Sequence, residues 1–212
     1  MNIPKIMVHI WIGPKDPPLE WMDTWKEKHP DWDYRIFDNK ELEERKGDFY
    51  CEHVLDTYLK RGKYNGAADI IRYEMLYRYG GFFPPADAIC HHNTDELWDQ
   101  PEHFCYGVSE GSPNPMFKGN ISPIYACNPG NTFVKTILDR VEKLAPYQVQ
   151  GPAATSGNHF LRLLLQEVKP DNIKIFPSHY FIPVHFEEPD KRYDGPDKVY
   201  ADQMWGSTTK AY

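Results

Sequence analysis

The chain is short of positive charge, of paired cysteines and of long apolar runs, and each shortage removes a class of function. Its 24 Lys and Arg stand against 31 Asp and Glu, for a formal net charge of -7. A protein that grips a nucleic-acid backbone carries a basic footprint, and no long basic patch appears, so a nucleic-acid partner is not expected. A nucleotide stays compatible with an acidic protein where a divalent cation supplies the positive charge. The four cysteines, Cys51, Cys90, Cys105 and Cys127, include no CxxC pair, which argues against zinc-ribbon and thioredoxin-type sites. They read as buried free thiols of a reducing compartment. No apolar run approaches the ~20 residues that span a bilayer. The opening Met1-Asn-Ile-Pro-Lys lacks the pattern of a signal peptide, so a cytoplasmic location is expected.

What is present is a soluble-type composition with many aromatics. The 212 residues suit a single domain with a sizeable core. Fourteen Tyr and six Trp offer flat faces for bases and sugars, although most such rings fill cores. Residues 5–12 form a nearly continuous apolar run, as in a strand buried on both faces. Helical spacing follows from Leu19 to His29. Tyr34-Arg-Ile-Phe37 reads as a second strand, and Asp38-Asn39 as a cap for a helix over 40–46. Strand–helix alternation points to an α/β fold with a mostly parallel sheet. Further helices are expected over 48–59, 67–79, 132–144 and 155–168, with a late strand at Ile173–Phe176. The stretch Gly107–Gly130, rich in Pro, Gly and Asn, reads as a long loop with short strands.

The segment from Asn65 to Asp87 carries the chemistry. A helix ends at Gly80-Gly81, then Phe82-Phe83-Pro-Pro-Ala-Asp87 forms a short strand with one terminal carboxylate. Asp69 and Arg72 lie three apart and share a helix face. In isolation they would be a surface ion pair worth well under ~1 kcal/mol. Near a helix start, the carboxylate can instead accept sugar hydroxyls while the guanidinium grips a phosphate oxygen. Asp87 alone would be a turn residue; at the end of a strand it can offer a hard oxygen to Mg²⁺ or Mn²⁺. His91 and His92 point to opposite faces of any strand, so at most one could join it. Trp11, at the carboxyl end of the first strand, is placed to stack on a base.

These residues resemble the DXD-containing sugar transferases of GT-A fold, among them yeast-type mannosyltransferases and, more distantly, the clostridial glucosylating toxins. Three blocks carry the likeness: Ile3-Pro-Lys-Ile-Met-Val-His-Ile-Trp-Ile-Gly13, the helix from Ala67 to Gly81, and Tyr200-Ala-Asp-Gln-Met-Trp-Gly206. The Phe-Phe-Pro-Pro-Ala-Asp variant and the compact size look closest to a chlorovirus capsid-glycosylating transferase domain.

The resemblance implies a GT-A fold, a single Rossmann-like, mostly parallel sheet flanked by helices, over 1–212. The secondary reading is that this domain is the N-terminal module of a longer protein. It implies that Trp11 stacks on the base, usually uracil, and that Asp69 and Arg72 contact the sugar and diphosphate. Phe83 falls where relatives carry a donor-binding Tyr. Asp87 takes the place of the direct metal ligand for Mn²⁺ or Mg²⁺, with Asp202 or Gln203 as a replacement for a missing C-terminal ligand and Trp205 as a lid aromatic. Pro85 stands in the first Asp position of the DXD, and Ala68 where relatives often have Ser.

The implied reaction is metal-dependent transfer of a hexose or deoxyhexose from a nucleoside diphosphate sugar, a UDP-sugar being expected, to a glycan or glycoprotein hydroxyl. Retention is expected, with viral capsid glycosylation in the host cytoplasm as one setting. No nucleophile is assignable, and a front-face route would need none. A degenerate fold that only binds glycans or partners, and a nucleotide-sugar hydrolase, are the competing readings.

Overall fold

The computed structural model describes residues 3–107 and 118–206. Six strands form the main sheet: β1 (Ile6–Ile10), β2 (Asp33–Phe37), β3 (Gly81–Phe83), β5 (Glu102–Tyr106), β6 (Ile121–Cys127) and β7 (Ile173–Phe176). Their order is β2-β1-β3-β6-β5-β7, and only β6 runs against its neighbours. Two short strands, β4 (Ala88–Cys90) and β8 (Ala201–Gln203), pair separately and antiparallel.

Strand alternation splits the core between two layers. Val8, Ile10, Phe83 and Tyr125 face one layer. That layer holds α3 (Glu52–Lys60), α4 (Tyr64–Tyr79), α5 (Thr132–Glu142) and α7 (Asn158–Val168), the last preceded by the single turn α6 (Pro152–Thr155). Met7, Phe82, Cys105 and Ala126 face the other, against Trp25 of α1 (Leu19–Lys28) and the β4–β8 pair. Trp25 ties these together, its Nε1 donating to the Ala88 carbonyl at 2.9 Å. The short α2 (Asn39–Glu44) starts as its sequence promised, with the Asp38 side chain accepting from the Glu41 N–H at 2.9 Å.

Most expected elements appear, with shifted ends. Helix α4 begins at Tyr64, three residues before the apolar spacing starts, and stops at Gly80 in a positive-φ cap. Gly107–Gly130 is corrected: its described part contains the seven-residue central strand β6 rather than only short strands in a loop. Pro123 concealed it, since a central strand should not hold a proline. Here β3 pairs only with Tyr125, Ala126 and Cys127, and the β5 register shifts between His103 and Cys105, so Pro123 lies where neither ladder pairs it. Residues 108–117 of that stretch, and 207–212 at the tail, lie outside the described residues.

Candidate active site

A cavity of about 820 Å³ opens along the carboxyl edge of β1 and β3, a size suited to a nucleotide sugar. Trp11, Pro14 and Lys15 come from the loop after β1; Lys63, Tyr64, Asn65, Ala68, Asp69 and Arg72 come from the start of α4. Pro85 and Asp87 follow β3, and the opposite wall holds Ser122 and Pro123 of β6 with Gly157 and Asn158 at the start of α7. Gln203 and Trp205 complete it from the tail. Two helix N-termini, those of α4 and α7, therefore meet one cavity, a setting that favours an anionic ligand.

Trp11 is held by both its backbone and its ring. Its N–H donates to Phe37 O and its Nε1 to Lys15 O, each at 2.8 Å. This leaves the indole half-buried at the cavity wall.

Asp69 is 7 % exposed and paired with Arg72, whose Nη1 donates to Oδ1 at 2.7 Å. Burial pushes its carboxyl up to about 6, against the pull of the Arg72 charge and its hydrogen bond. The Ser156 hydroxyl donates to the other oxygen, Oδ2, at 3.1 Å. Arg72 has a buried Nε with no partner among the described residues, so the guanidinium keeps a donor for a ligand.

Asp87 accepts from Gln203 Nε2 at 2.7 Å on one oxygen and from the Gly206 N–H at 3.0 Å on the other. Its carbonyl accepts from the Met204 N–H at 2.8 Å. Trp205 sits in the left-handed region (φ 55), its Nε1 donating to Val184 O at 3.0 Å and its ring against His185 and Phe186.

Six of the expected site residues thus meet at one cavity: Trp11, Asp69, Arg72, Asp87, Gln203 (the alternative to Asp202) and Trp205. Two do not. Phe83 is 1 % exposed and packs into the helix-side core, because β3 turns its neighbour Phe82 to the other face. Asp202 points away as well. Arg192 grips both its oxygens at 2.8 and 3.0 Å, and His91 lies 3.3 Å from Oδ2. Alternation along β8 leaves the adjacent Gln203 facing the cavity.

The residues present fit a hard cation in part. Asp87 offers carboxylate oxygen, and the buried Gln203 Oε1 has no partner among the described residues. Among the described residues no cluster of three or more His, Cys, Asp or Glu could hold a metal without help, so the remaining ligands would come from substrate and water. Sequence reading missed Ser156, Gly157 and Asn158. The only signal for them was a helix start after Gly151-Pro152, which says nothing of what it faces.

Residues 19–104, which include Asp69, Arg72, Pro85 and Asp87, match the family described as glycosyltransferase sugar-binding region containing DXD motif. The chain is 30 % identical over 105 residues to inositol phosphoceramide mannosyltransferase 3 of Schizosaccharomyces pombe, covering 47 % of this chain and 28 % of that protein. It therefore spans little more than a quarter of that relative's length. The UDP-bound glycosyltransferase domain of the YGT toxin shares the fold, with a TM-score of 0.59 and 11 % identity over 83 % of this chain and 80 % of that one. A glycosyltransferase involved in the glycosylation of the major capsid of PBCV-1 overlays 95 % of this chain and 94 % of its own, at a TM-score of 0.42 and 10 % identity. The GT-A fold and the sugar-transferase resemblance read from the sequence are both matched.

Proposed function

We propose that this chain is a metal-dependent glycosyltransferase, one GT-A domain over 1–212, that moves a hexose or deoxyhexose from a UDP-sugar to a hydroxyl of a glycan or glycoprotein. The observation that carries this is the meeting of Asp69–Arg72 with Asp87–Gln203 across one cavity, beside an indole at the end of β1.

Trp11 supplies a face for the uracil ring. Lys15 and Lys63 line the same end and bring positive charge toward a diphosphate. Asp69 ionises above about pH 6 and then accepts hydroxyl protons of the sugar, while the buried Nε of Arg72 is the spare donor for a phosphate or sugar oxygen. Asp87 and Gln203 would hold Mn²⁺ or Mg²⁺, which when bound neutralises charge on the departing diphosphate. Asp69 and Asp87 are the only carboxylates lining the described cavity, and both are already hydrogen-bonded. That speaks against double displacement through an enzyme carboxylate; retention would then take a front-face route. Four buried free thiols support a reducing, cytoplasmic setting, and no described helix is long and apolar enough to cross a membrane.

A thermal-shift screen of UDP-, GDP- and dTDP-sugars, each with and without Mn²⁺, tests the reading. Ligand at ~100 times its dissociation constant adds ~2.7 kcal/mol, which for a domain of this size is roughly 5–10 °C. A Mn²⁺-dependent shift with one UDP-sugar is expected. No shift with any donor would favour a glycan-binding module, with Pro85 in the cavity wall as the reason. Turnover that acceptor sugars fail to raise would favour a hydrolase.

A further inference from the structure

Asp69 is clamped from two elements, and only one of the clamps lies on its own helix. Arg72 takes Oδ1, and Ser156, from the turn between α6 and α7, takes Oδ2. Ser156 is fully buried, and its turn is anchored without help from Asp69. The Tyr73 hydroxyl donates to Ser156 O at 2.5 Å, and the N–H groups of Ser156 and Gly157 donate to Pro152 O at 2.9 and 2.8 Å. Gln150 N donates to Thr155 Oγ1 at 2.9 Å. The Ser156 hydroxyl has one proton and three oxygens within reach, Asp69 Oδ2 at 3.1 Å, Pro152 O at 3.4 Å and the Tyr58 hydroxyl at 3.5 Å, of which Asp69 Oδ2 is the nearest. Gly157 then passes so close that a Cβ there would stand 3.4 Å from Asp69 Oδ2. With a different donor on each oxygen, the carboxylate cannot turn about its own axis without losing both bonds.

We propose that Ser156 is a positioning residue, whose hydroxyl fixes the rotation of the Asp69 carboxylate so that its remaining lone pairs face the sugar of the donor. This rests on the glycosyltransferase reading of the cavity. The groups facing Asp69 are Arg72 and Tyr73 from α4, Tyr58 from α3 and Ser156 from the turn. Burial raises both phenols, so they stay neutral through the working range. Arg72 is the donor on the other oxygen, Oδ1. Ser156 is thus the neutral side-chain donor to Asp69, and its contacts with Pro152 O and the Tyr58 hydroxyl are longer, at 3.4 and 3.5 Å.

The test compares wild type with Ser156→Ala, Ser156→Cys and Tyr73→Phe. The first readout is the Asp69 carboxyl titration by ¹³C NMR, which needs no activity. The hydroxyl favours the ionised form, so Ser156→Ala is expected to move the midpoint upward by about one unit. Ser156→Cys, a weaker donor of similar size, should fall between. Tyr73→Phe loosens the turn but leaves the donor, and should leave the midpoint in place. The second readout is kcat for donor turnover, expected to fall about tenfold in Ser156→Ala, with affinity for free UDP within about twofold of wild type. The inference is overturned if Ser156→Ala titrates as wild type, if Tyr73→Phe reproduces its shift, or if UDP affinity falls in step with kcat. A wild type that binds no nucleotide sugar at all would instead sink the underlying reading, and the positioning role with it.

Discussion

Gln203 Nε2 donates to Asp87 Oδ1 at 2.7 Å across a sequence separation of 116 residues. The pairing of β8 with β4 sets this contact, because the register Ala88↔Gln203 carries the glutamine to the residue next to Asp87. The amide's own oxygen is left buried and without a partner among the described residues, and Gln203 lines the same cavity. A tail strand thereby completes a site begun by α4 and β3.

Asp87→Ala is accordingly expected to abolish the Mn²⁺-dependent part of donor binding while leaving the fold intact. Gln203→Leu should raise the Mn²⁺ concentration for half-saturation by roughly 10–100-fold, as loss of a ligand or its orienting partner does elsewhere. Asp202→Asn should leave Mn²⁺ dependence untouched, since that carboxylate is held by Arg192. Titrating Mn²⁺ against the UDP-sugar thermal shift separates the three. Normal Mn²⁺ dependence in Asp87→Ala would remove the metal assignment.

Trp11→Ala is expected to weaken every donor with the same base by a similar factor, on the order of 1–3 kcal/mol if stacking acts as it does on other aromatic platforms. Isothermal titration with UDP and with two UDP-sugars checks this. A loss confined to one sugar would place the indole against the sugar rather than the base.

The parts of this site legible in sequence are those set by local geometry. Asp69 and Arg72 are one helical turn apart, and Gly80-Gly81 marks the helix end, so three side chains of the cavity could be named from a single segment. Phe83 and Asp202 lie away from the cavity for one shared reason. In strands of three residues the direction of each side chain depends on which partner supplies the ladder, and pairing of Phe82 with Ala126 and of Ile89 with Asp202 is not written locally. Ser156 was out of reach, and Gln203 stood only as the alternative to Asp202, because tertiary packing, not the sequence neighbourhood, brings them to Asp69 and Asp87. Strand β6 was concealed by Pro123, whose cost vanishes only once the register shift in β5 is known.

Gly81 starts β3 at φ +100, and a Cβ there would stand 2.4 Å from the Ile6 carbonyl oxygen of β1. That oxygen is backbone and cannot step aside without opening the junction between the strands that carry Trp11 and Asp87. Gly81→Ala is expected to destabilise by on the order of 3 kcal/mol, combining positive-φ strain with overpacking. Gly47 has a similar φ of +88 and nothing within 4 Å, so Gly47→Ala isolates the strain, at about 1 kcal/mol. Urea denaturation of both compares the two costs directly. Equal losses would show that the close approach of β1 and β3 contributes nothing.

Two buried groups should bend the pH profile of stability in opposite directions. His9 is fully buried, accepts or donates only through Nδ1 to the Tyr34 hydroxyl at 3.0 Å, and has its pKa pushed down to about 3 by burial. The unfolded chain takes up a proton near 6.5 that the folded one refuses, so this contribution is whole above 6.5 and is lost as pH falls toward 3. Glu102, on β5, is hydrogen-bonded by the Tyr125 hydroxyl, and burial raises its carboxyl to about 7. Here the folded state binds the proton more tightly, so stability is gained as pH falls from 7 to about 4.5. Each group contributes a slope of up to ~1.4 kcal/mol per pH unit within its window. Replacing His9 by Asn should therefore make stability fall less steeply below pH 6.5 than in wild type. Glu102→Gln should remove the gain between 7 and 4.5, making the same limb fall more steeply. Urea unfolding of the three proteins from pH 4.5 to 7.5 measures both differences, and slopes that change with the same sign in the two variants would contradict the assignment of neutral forms to these buried side chains.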